Sequence, residues 1–193
     1  MSKKIIIRLV LFVALLSLNM NMRAVGGIED DEVFPADSTR TAIFSEDAYF
    51  ASINMLKKEL ELAPNDELLL SELGELQVKL RLMEDAFLTY SRLIRVNPRN
   101  YDACLFLGYN YYVKGKNLLQ VEDERYKQIE KPKKIQYTVY LDNIKKVLDR
   151  DYKLALQYLS IATSITPVNF VQNVVKEMQH RMLNPTLFQE ITK

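Results

Sequence analysis

The sequence predicts an all-α protein in which helices pair as hairpins that stack into a solenoid. Three observations lead to this prediction. Only five glycines and six prolines occur in 193 residues, so long stretches lack helix breakers. Apolar residues recur at steps of three and four, the spacing of one helix face. Two similar segments end in proline, Leu60–Pro64 and Ile94–Pro98, and their spacing of roughly 34 residues marks an internal repeat.

Residues 1–24 have the pattern of a secretory signal peptide. Three basic residues flank the start of the apolar stretch Leu9–Leu18, which is shorter than the ~20 residues that a membrane-spanning helix needs. We therefore expect export to the periplasm or cell envelope, with cleavage after Ala24. The alternative is an uncleaved segment, which would be the chain's one expected contact with a membrane.

A short acidic leader is predicted between the signal segment and the folded domain. Residues 25–44 contain the acidic run Glu29–Glu32 and show no helical periodicity, which is typical of a flexible, solvated segment. The domain is predicted to span residues 45–183, and residues 184–193 form a tail. Ser45 is expected to cap the first helix, because its hydroxyl can accept a hydrogen bond from a free backbone N–H.

The repeat that Pro98 closes contains the pair Leu73-Gly74 in its first helix and Ala86 and Tyr90 in its second. In this order and spacing these residues closely resemble the tetratricopeptide repeat (TPR) family. Gly74 and Ala86 are expected to be small because the two helices of the hairpin cross closely there, and Tyr90 is expected to fill the space beside the next hairpin. The proline ends the second helix because it cannot donate the backbone hydrogen bond.

A second repeat begins one repeat length later, where Leu107-Gly108 recurs and Tyr111 follows. Its second helix does not arrive at the expected distance. The matching small residues and terminating proline come late in the chain, at Ala155, Ala162 and Pro167. An insertion at positions 116–150 therefore splits this repeat.

The insertion is predicted to form a projecting hairpin of two over-long helices. Ile144, Leu148 and Tyr152 extend the apolar stripe of the delayed helix without a break, and the turn is expected at Lys131-Pro132. For the first half of the insertion, a partly disordered loop is an equally open alternative. Gly115 argues against continuity, since glycine costs about 1 kcal/mol in a helix interior.

A last helix is predicted at Asn169–Leu183. Its apolar stripe has a residue at every fourth position: Phe170, Val174, Met178 and Met182. We expect this helix to cover the exposed end of the last repeat, because the terminal faces of a solenoid need a cap with a polar outer side.

Composition and residue chemistry argue against several function classes. The 26 basic and 25 acidic residues give a net charge of +1. This balance provides no broad positive electrostatic potential for binding nucleic acid. His180, the only histidine, is expected at a solvated position, and Cys104, the only cysteine, is expected to be a buried inert thiol. With no motif for a phosphate, a metal or a nucleophile, we expect no enzyme activity, cofactor or small-molecule substrate.

The TPR resemblance implies that the first helix of each repeat lines a concave groove that binds a peptide or helix of another protein. In the first repeat the inward positions match Leu68, Ser71, Glu75, Val78 and Lys79. In the second they match Asp102, Leu105, Tyr109, Tyr112 and Val113. Tyrosine combines a large apolar area with a polar tip and is enriched at interfaces. An equally open alternative is that Tyr109 and Tyr112 only pack against the insertion.

The expected function is therefore that of an adaptor or scaffold in the bacterial cell envelope, with an unidentified protein as partner. The alternative is a structural subunit that self-associates through the projecting hairpin. A solenoid of fewer than three full repeats is marginal, so a second subunit could complete its core.

Overall fold

The computed structural model describes residues 36–186, and the side chains of residues 47–186. All regular secondary structure in this range is helical, which confirms the predicted all-α class. The chain divides into two units at residue 42, and of the first unit only its final residues, from Ala36, are described. Every helix within the described range is too short or too polar to cross a membrane. The predicted signal segment lies outside the described residues.

The helices are named α1 to α7 in chain order. Their bounds are α1 Ala36–Leu62, α2 Glu67–Lys79, α3 Met83–Val96, α4 Tyr101–Lys127, α5 Lys134–Val147, a π-helical turn Leu148–Tyr152, α6 Lys153–Ile165 and α7 Asn169–Leu183. The first helix begins at Ala36, so Ser45 lies inside it and the prediction that Ser45 caps its start is wrong. The residues between Ala36 and Ser45 include neither glycine nor proline, so nothing in them breaks a helix.

The helix ends follow from local chemistry. Asp66 caps α2, where its side chain accepts a hydrogen bond from the Leu69 N–H at 3.0 Å. Asn100 caps α4 in the same way, with the Ala103 N–H at 3.1 Å. Such caps satisfy backbone donors that have no partner within the helix. The predicted terminators Pro64, Pro98 and Pro167 each stand two residues after the end of a helix, namely α1, α3 and α6.

Helices α2 and α3 form the first hairpin, and they cross as closely as predicted. A Cβ atom placed on Gly74 would lie 2.7 Å from the ring of Tyr90, a distance that real Cβ atoms do not show. Ala86 is fully buried on α3, and Leu73 and Tyr90 belong to the same core. The small residues therefore permit the close approach of the two helices.

The second hairpin pairs α4 with the helix formed by α5, the π turn and α6. A Cβ atom on Gly108 would lie 2.7 Å from Leu159 Cγ and 3.0 Å from the Leu159 backbone nitrogen. Leu107, Ala155 and Ala162 are buried around this crossing. The residues from Ala155 to Ala162 thus belong to the helix that pairs with α4.

The insertion continues α4 to Lys127, turns, and returns as α5, which confirms the predicted hairpin of over-long helices. Gly115 lies inside α4 and does not end it. A Cβ atom at this position would meet the Tyr152 ring at 2.7 Å and Asp151 Cβ at 3.3 Å. Gly115 is therefore a third point of close helix approach.

The π turn opposite Gly115 is a feature that the sequence analysis did not predict. Ile144, Leu148 and Tyr152 are all buried, yet their steps of four are longer than the 3.6-residue period of an α-helix. A local wide turn keeps all three on one face. The turn also buries Asp151, whose carboxylate accepts hydrogen bonds from the Arg150 guanidinium at 2.7 and 2.9 Å.

We expect Gly115→Ala to lower the free energy of unfolding by up to about 2 kcal/mol. Alanine gains about 1 kcal/mol of helix propensity, but the new methyl group collides with the buried Tyr152 ring, and such overpacking costs about 1 to 3 kcal/mol. Urea denaturation followed by circular dichroism measures the change. Asn117→Ala, at an exposed site on the same helix, is the control and should leave stability unchanged or slightly raised. A stabilised Gly115→Ala protein would disprove the close approach.

Candidate functional site

The surface predicted for partner binding lies on α2 and α4, and its ten residues differ in exposure. Two are exposed: Leu68 and Lys79. Five are partly exposed: Ser71, Glu75, Asp102, Tyr109 and Val113. Three are buried: Val78, Leu105 and Tyr112. The area that a partner could contact on these helices is therefore narrower than the predicted set, because those three side chains belong to the core.

On the α2 part of this surface, polar side chains are hydrogen-bonded to residues of α1 and of the turn before α4. Lys79 donates a hydrogen bond to the hydroxyl of Tyr49 on α1, and its Nζ atom lies 3.9 Å from the centroid of that ring. Glu67, the first residue of α2, accepts hydrogen bonds from the side-chain amides of Asn97 at 2.6 Å and Asn100 at 3.3 Å. These amides stand just before α4, so the starts of α2 and α4 are joined.

On α4, the surface continues onto α7 through two rings that we call the aromatic pair, Tyr109 and Phe170. Their ring centroids are 6.2 Å apart, and the Phe170 side chain remains 41% exposed. Tyr109 also contacts Tyr112, with ring centroids 5.9 Å apart. Contacts at these distances are favourable between aromatic rings. The pair therefore presents apolar area to solvent at the junction of two helices.

The exposure of Phe170 corrects the predicted apolar stripe of α7. The buried residues of this helix are Val171, Val174 and Met178, which step by three and four, whereas Phe170 is exposed. Steps of four alone drift off the face of a helix with 3.6 residues per turn. Of the predicted stripe, Val174 and Met178 are therefore packed, whereas its ends are not, since Met182 is partly exposed and Phe170 is exposed. Sequence reasoning consequently assigned Phe170 to the core.

Beside the aromatic pair, a polar triad links α4 to α7. The Tyr112 hydroxyl donates a hydrogen bond to Glu177 Oε2 at 2.9 Å, and Lys116 Nζ donates to the Tyr112 hydroxyl at 2.9 Å. Lys116 also pairs with Glu177 Oε1 at 3.1 Å. The hydrogen bond to Tyr112, together with the Glu177 carboxylate, raises the pKa of Lys116, so this lysine stays charged at physiological pH.

Partner binding and internal packing were the two interpretations of Tyr109 and Tyr112, and the structure favours a different one for each residue. Tyr112 packs against the second helix of the hairpin, with its ring centroid 6.2 Å from that of Tyr152. Burial and the nearby acidic groups raise the pKa of Tyr152 to about 12, so its ring stays neutral in the core. Tyr109 instead contacts α7 and keeps part of its surface exposed. Of the two tyrosines, Tyr109 is thus the one placed to meet a partner.

A second polar link between α4 and α7 lies further along both helices. Arg181 Nη2 donates to both carboxylate oxygens of Asp123, at 3.0 and 2.8 Å, and the Tyr140 hydroxyl donates to Asp123 Oδ1 at 2.6 Å. The side chains of Arg181 and Asp123 are only 13% and 15% exposed. Between the triad and this ion pair runs an open cleft of about 630 Å³, with Leu119 and Tyr152 among its lining residues.

The chemical groups considered earlier are not assembled into a reactive site. Cys104 is fully buried as predicted, and burial raises the pKa of its thiol to about 11. His180 is exposed on α7, also as predicted. Among residues 36–186, no cluster of three or more histidine, cysteine, aspartate or glutamate side chains is placed to hold a metal ion.

Comparison with known proteins shows a likeness to a solved structure. No family model matches the chain, and no curated protein matches it. A crystal structure from Bacteroides ovatus ATCC 8483, described as that of a "putative protein binding protein", is similar to this chain with a TM-score of 0.66 and 24% sequence identity. The match covers 76% of this chain and 71% of the other. At this identity the likeness shows a shared fold, and it fits a helical repeat protein.

We expect Asp123→Asn to lower the free energy of unfolding by about 2 kcal/mol. The substitution leaves the largely buried Arg181 guanidinium without its counter-charge, and breaking such a pair costs more than breaking an exposed one. Arg125→Gln is the matched control, because it breaks the Arg125–Glu122 pair on the same helix, where Arg125 is 66% exposed. This control should cost less than about 0.5 kcal/mol in urea denaturation. Equal losses in both variants would mean that the Asp123–Arg181 pair does not anchor α7.

Proposed function

We propose that this chain is an exported tetratricopeptide-repeat protein that acts as an adaptor, binding a segment of another protein on the surface formed by α2, α4 and α7. The observation that carries the proposal is the partly exposed aromatic pair, Tyr109 and Phe170, at the junction of α4 and α7. Partly exposed aromatic rings on a rigid support are the typical anchors of protein interfaces.

The TPR assignment is supported by spacing and packing together. Leu73-Gly74 and Leu107-Gly108 lie one repeat length apart, and both glycines stand where a partner helix leaves no room for a Cβ atom. Prolines follow the ends of three helices at the same distance. The close packing at these positions supports the assignment.

The surroundings of the aromatic pair suit a segment that carries few charges. Lys116 and Glu177 stand beside it, each about half exposed, and they already neutralise one another. On α2, Glu75 is partly exposed and Leu68 is 67% exposed. A helix or extended peptide with apolar anchors and few charges would match this surface best.

The solved structure from Bacteroides ovatus supports the proposed protein-binding role independently of the sequence pattern. That protein shares the fold and is described as protein binding, which is the function class proposed for this chain. The proposal assigns no catalytic role to Cys104 or His180. Cys104 is fully buried, and His180 is exposed on α7. Neither residue belongs to a metal-binding cluster, since residues 36–186 contain none.

The partner surface can be tested by crosslinked pull-down of the tagged protein from its native cells. We expect one specific protein to be captured, and the double variant Tyr109→Ala with Phe170→Ala to reduce its recovery at least tenfold, because each anchor typically contributes about 2 kcal/mol. Tyr112 is left intact because it is buried and bonded to Glu177, so its removal would disturb the fold.

The matched control for this experiment is Leu88→Ala. Leu88 is 68% exposed on α3, which is not part of the proposed surface. Its truncation therefore removes apolar area outside that surface. Recovery of the partner should be unchanged in this variant. Retention of the partner by the Tyr109/Phe170 variant would refute the proposed surface, and recovery of the bait alone would favour the self-associating alternative.

The location is tested separately. If the chain is exported and cleaved as proposed, N-terminal sequencing of the protein from its own cells should give Val25 as the first residue. An N-terminus at Met1 or Ser2 would contradict cleavage while leaving the binding surface untouched.

A further inference from the structure

The end of the projecting hairpin carries a cluster of positive charge that the proposed function does not use. We define the hairpin tip as residues 127–139, the last residue of α4, the turn and the start of α5. It holds four lysines against one acidic residue, Glu130, and all four are exposed: Lys127, Lys131, Lys133 and Lys134. The whole chain carries a net charge of only +1, so this concentration is a local feature.

Exposed aliphatic side chains stand beside these lysines. Ile135 is 67% exposed and Val139 is 52% exposed, and because they are four residues apart on α5 they share one face. They border a shallow pocket of about 200 Å³ between α4 and α5, which Ile129 also lines. The tip therefore combines an aliphatic patch with four exposed lysines.

The tip is held as a firm platform by three tyrosines beneath the patch. Tyr126 on α4 stacks against Tyr140 on α5, with ring centroids 4.6 Å apart, and Tyr137 lies 6.0 Å from Tyr126. All three rings are buried. At the start of α5, the Lys133 N–H donates to the Gln136 side chain at 2.7 Å. These contacts hold the tip in place. Core packing therefore does not account for the exposed apolar side chains of Ile135 and Val139.

We propose that the hairpin tip docks on an anionic lipid surface. Lysines near such a surface contribute about 1 kcal/mol each through attraction to lipid phosphates. Ile135 and Val139 would enter the boundary between head groups and acyl chains, as the apolar face of an interfacial helix does. This surface is distinct from the aromatic pair, so the inference does not depend on the proposed partner binding.

Other occupants fit the tip less well. Two copies meeting tip to tip would bring eight lysines together, and like charges oppose such a contact. A bound peptide strand would need free backbone donors and acceptors, whereas α4 and α5 use theirs within the helices. The pocket of about 200 Å³ is also too small for more than one or two side chains. An acidic protein is the remaining competitor, and a comparison of polyglutamate with vesicles separates it from lipid.

The test uses the full chain with a fluorescent probe placed at the tip. Val139→Cys is labelled with an environment-sensitive dye, since the native Cys104 is fully buried and leaves position 139 as the accessible thiol. The local readout matters because the apolar N-terminal stretch Leu9–Leu18 could itself attach the full chain to vesicles. Leu88→Cys, on α3, carries the same dye as the control position.

With vesicles of phosphatidylcholine containing about one quarter phosphatidylglycerol, we expect a blue shift of the probe at position 139 and none at position 88. Pure phosphatidylcholine vesicles should give no shift. In about 1 M salt, where the Debye length falls to about 3 Å, the shift should be largely lost. Replacing Lys131, Lys133 and Lys134 by glutamine should weaken binding on the order of a hundredfold, as three lost contributions of about 1 kcal/mol imply.

The matched charge control is Lys145→Gln with Lys146→Gln, an exposed basic pair on α5 outside the tip. It should change the affinity no more than a few-fold, and both variants should keep the wild-type circular dichroism spectrum. Several results would overturn the proposal: no shift with anionic vesicles, an equal shift with neutral ones, or no effect of the triple lysine variant. An equal shift with polyglutamate would also refute it, because the tip would then recognise acidic chains in general.

Discussion

The close crossing of paired helices at glycine is the constraint on which this structure depends. Gly74, Gly108 and Gly115 each leave a space that a side chain of the facing helix fills, with distances near 2.7 Å to the position of an added Cβ atom. The first two stand one repeat length apart, so one geometry is used in both hairpins. Gly115 adds a third crossing, between α4 and the π turn. Because protein interiors are close-packed, each crossing fixes the relative position of two helix axes. The positions of side chains further along both helices follow from those axes.

That constraint explains why α4 is the organising element of the candidate site. Gly108 and Gly115 hold α4 against α6 and the π turn, and α4 also packs against α3 and α5, which leaves part of its surface for α7 and for solvent. Along those faces the helix presents Tyr109, then Lys116 of the polar triad, then Asp123 bonded to Arg181. The two polar links are spaced along α7, so they set its orientation as well as its position. The exposure of Phe170 beside Tyr109 is a consequence of that orientation.

The sequence was sufficient for features that depend on local chemistry and spacing. Proline residues placed three helix ends, and the glycine spacing predicted the close crossings at Gly74 and Gly108. Features that depend on the three-dimensional packing of the insertion and of α7 could not be predicted from it. The π turn could be found only from the steps of Ile144, Leu148 and Tyr152, which are longer than the α-helical period. In α7, Val174 and Met178 of the predicted stripe are buried, but Phe170 at its start is exposed. The burial of Val78, Leu105 and Tyr112 likewise depends on neighbours that a family pattern does not specify.

The length of α4 gives the two proposed surfaces a fixed relation. Tyr109 and Lys127 are about 18 residues apart on one helix, and at 1.5 Å per residue this is about 27 Å along its axis. A partner at the aromatic pair and a lipid surface at the hairpin tip could therefore be bound together without overlap. Since glycine crossings and buried tyrosines support α4 along this length, the helix would act as a rigid spacer between them. In that arrangement the insertion has a physical purpose: it holds the partner-binding surface at a set distance from the anionic surface on which the tip rests.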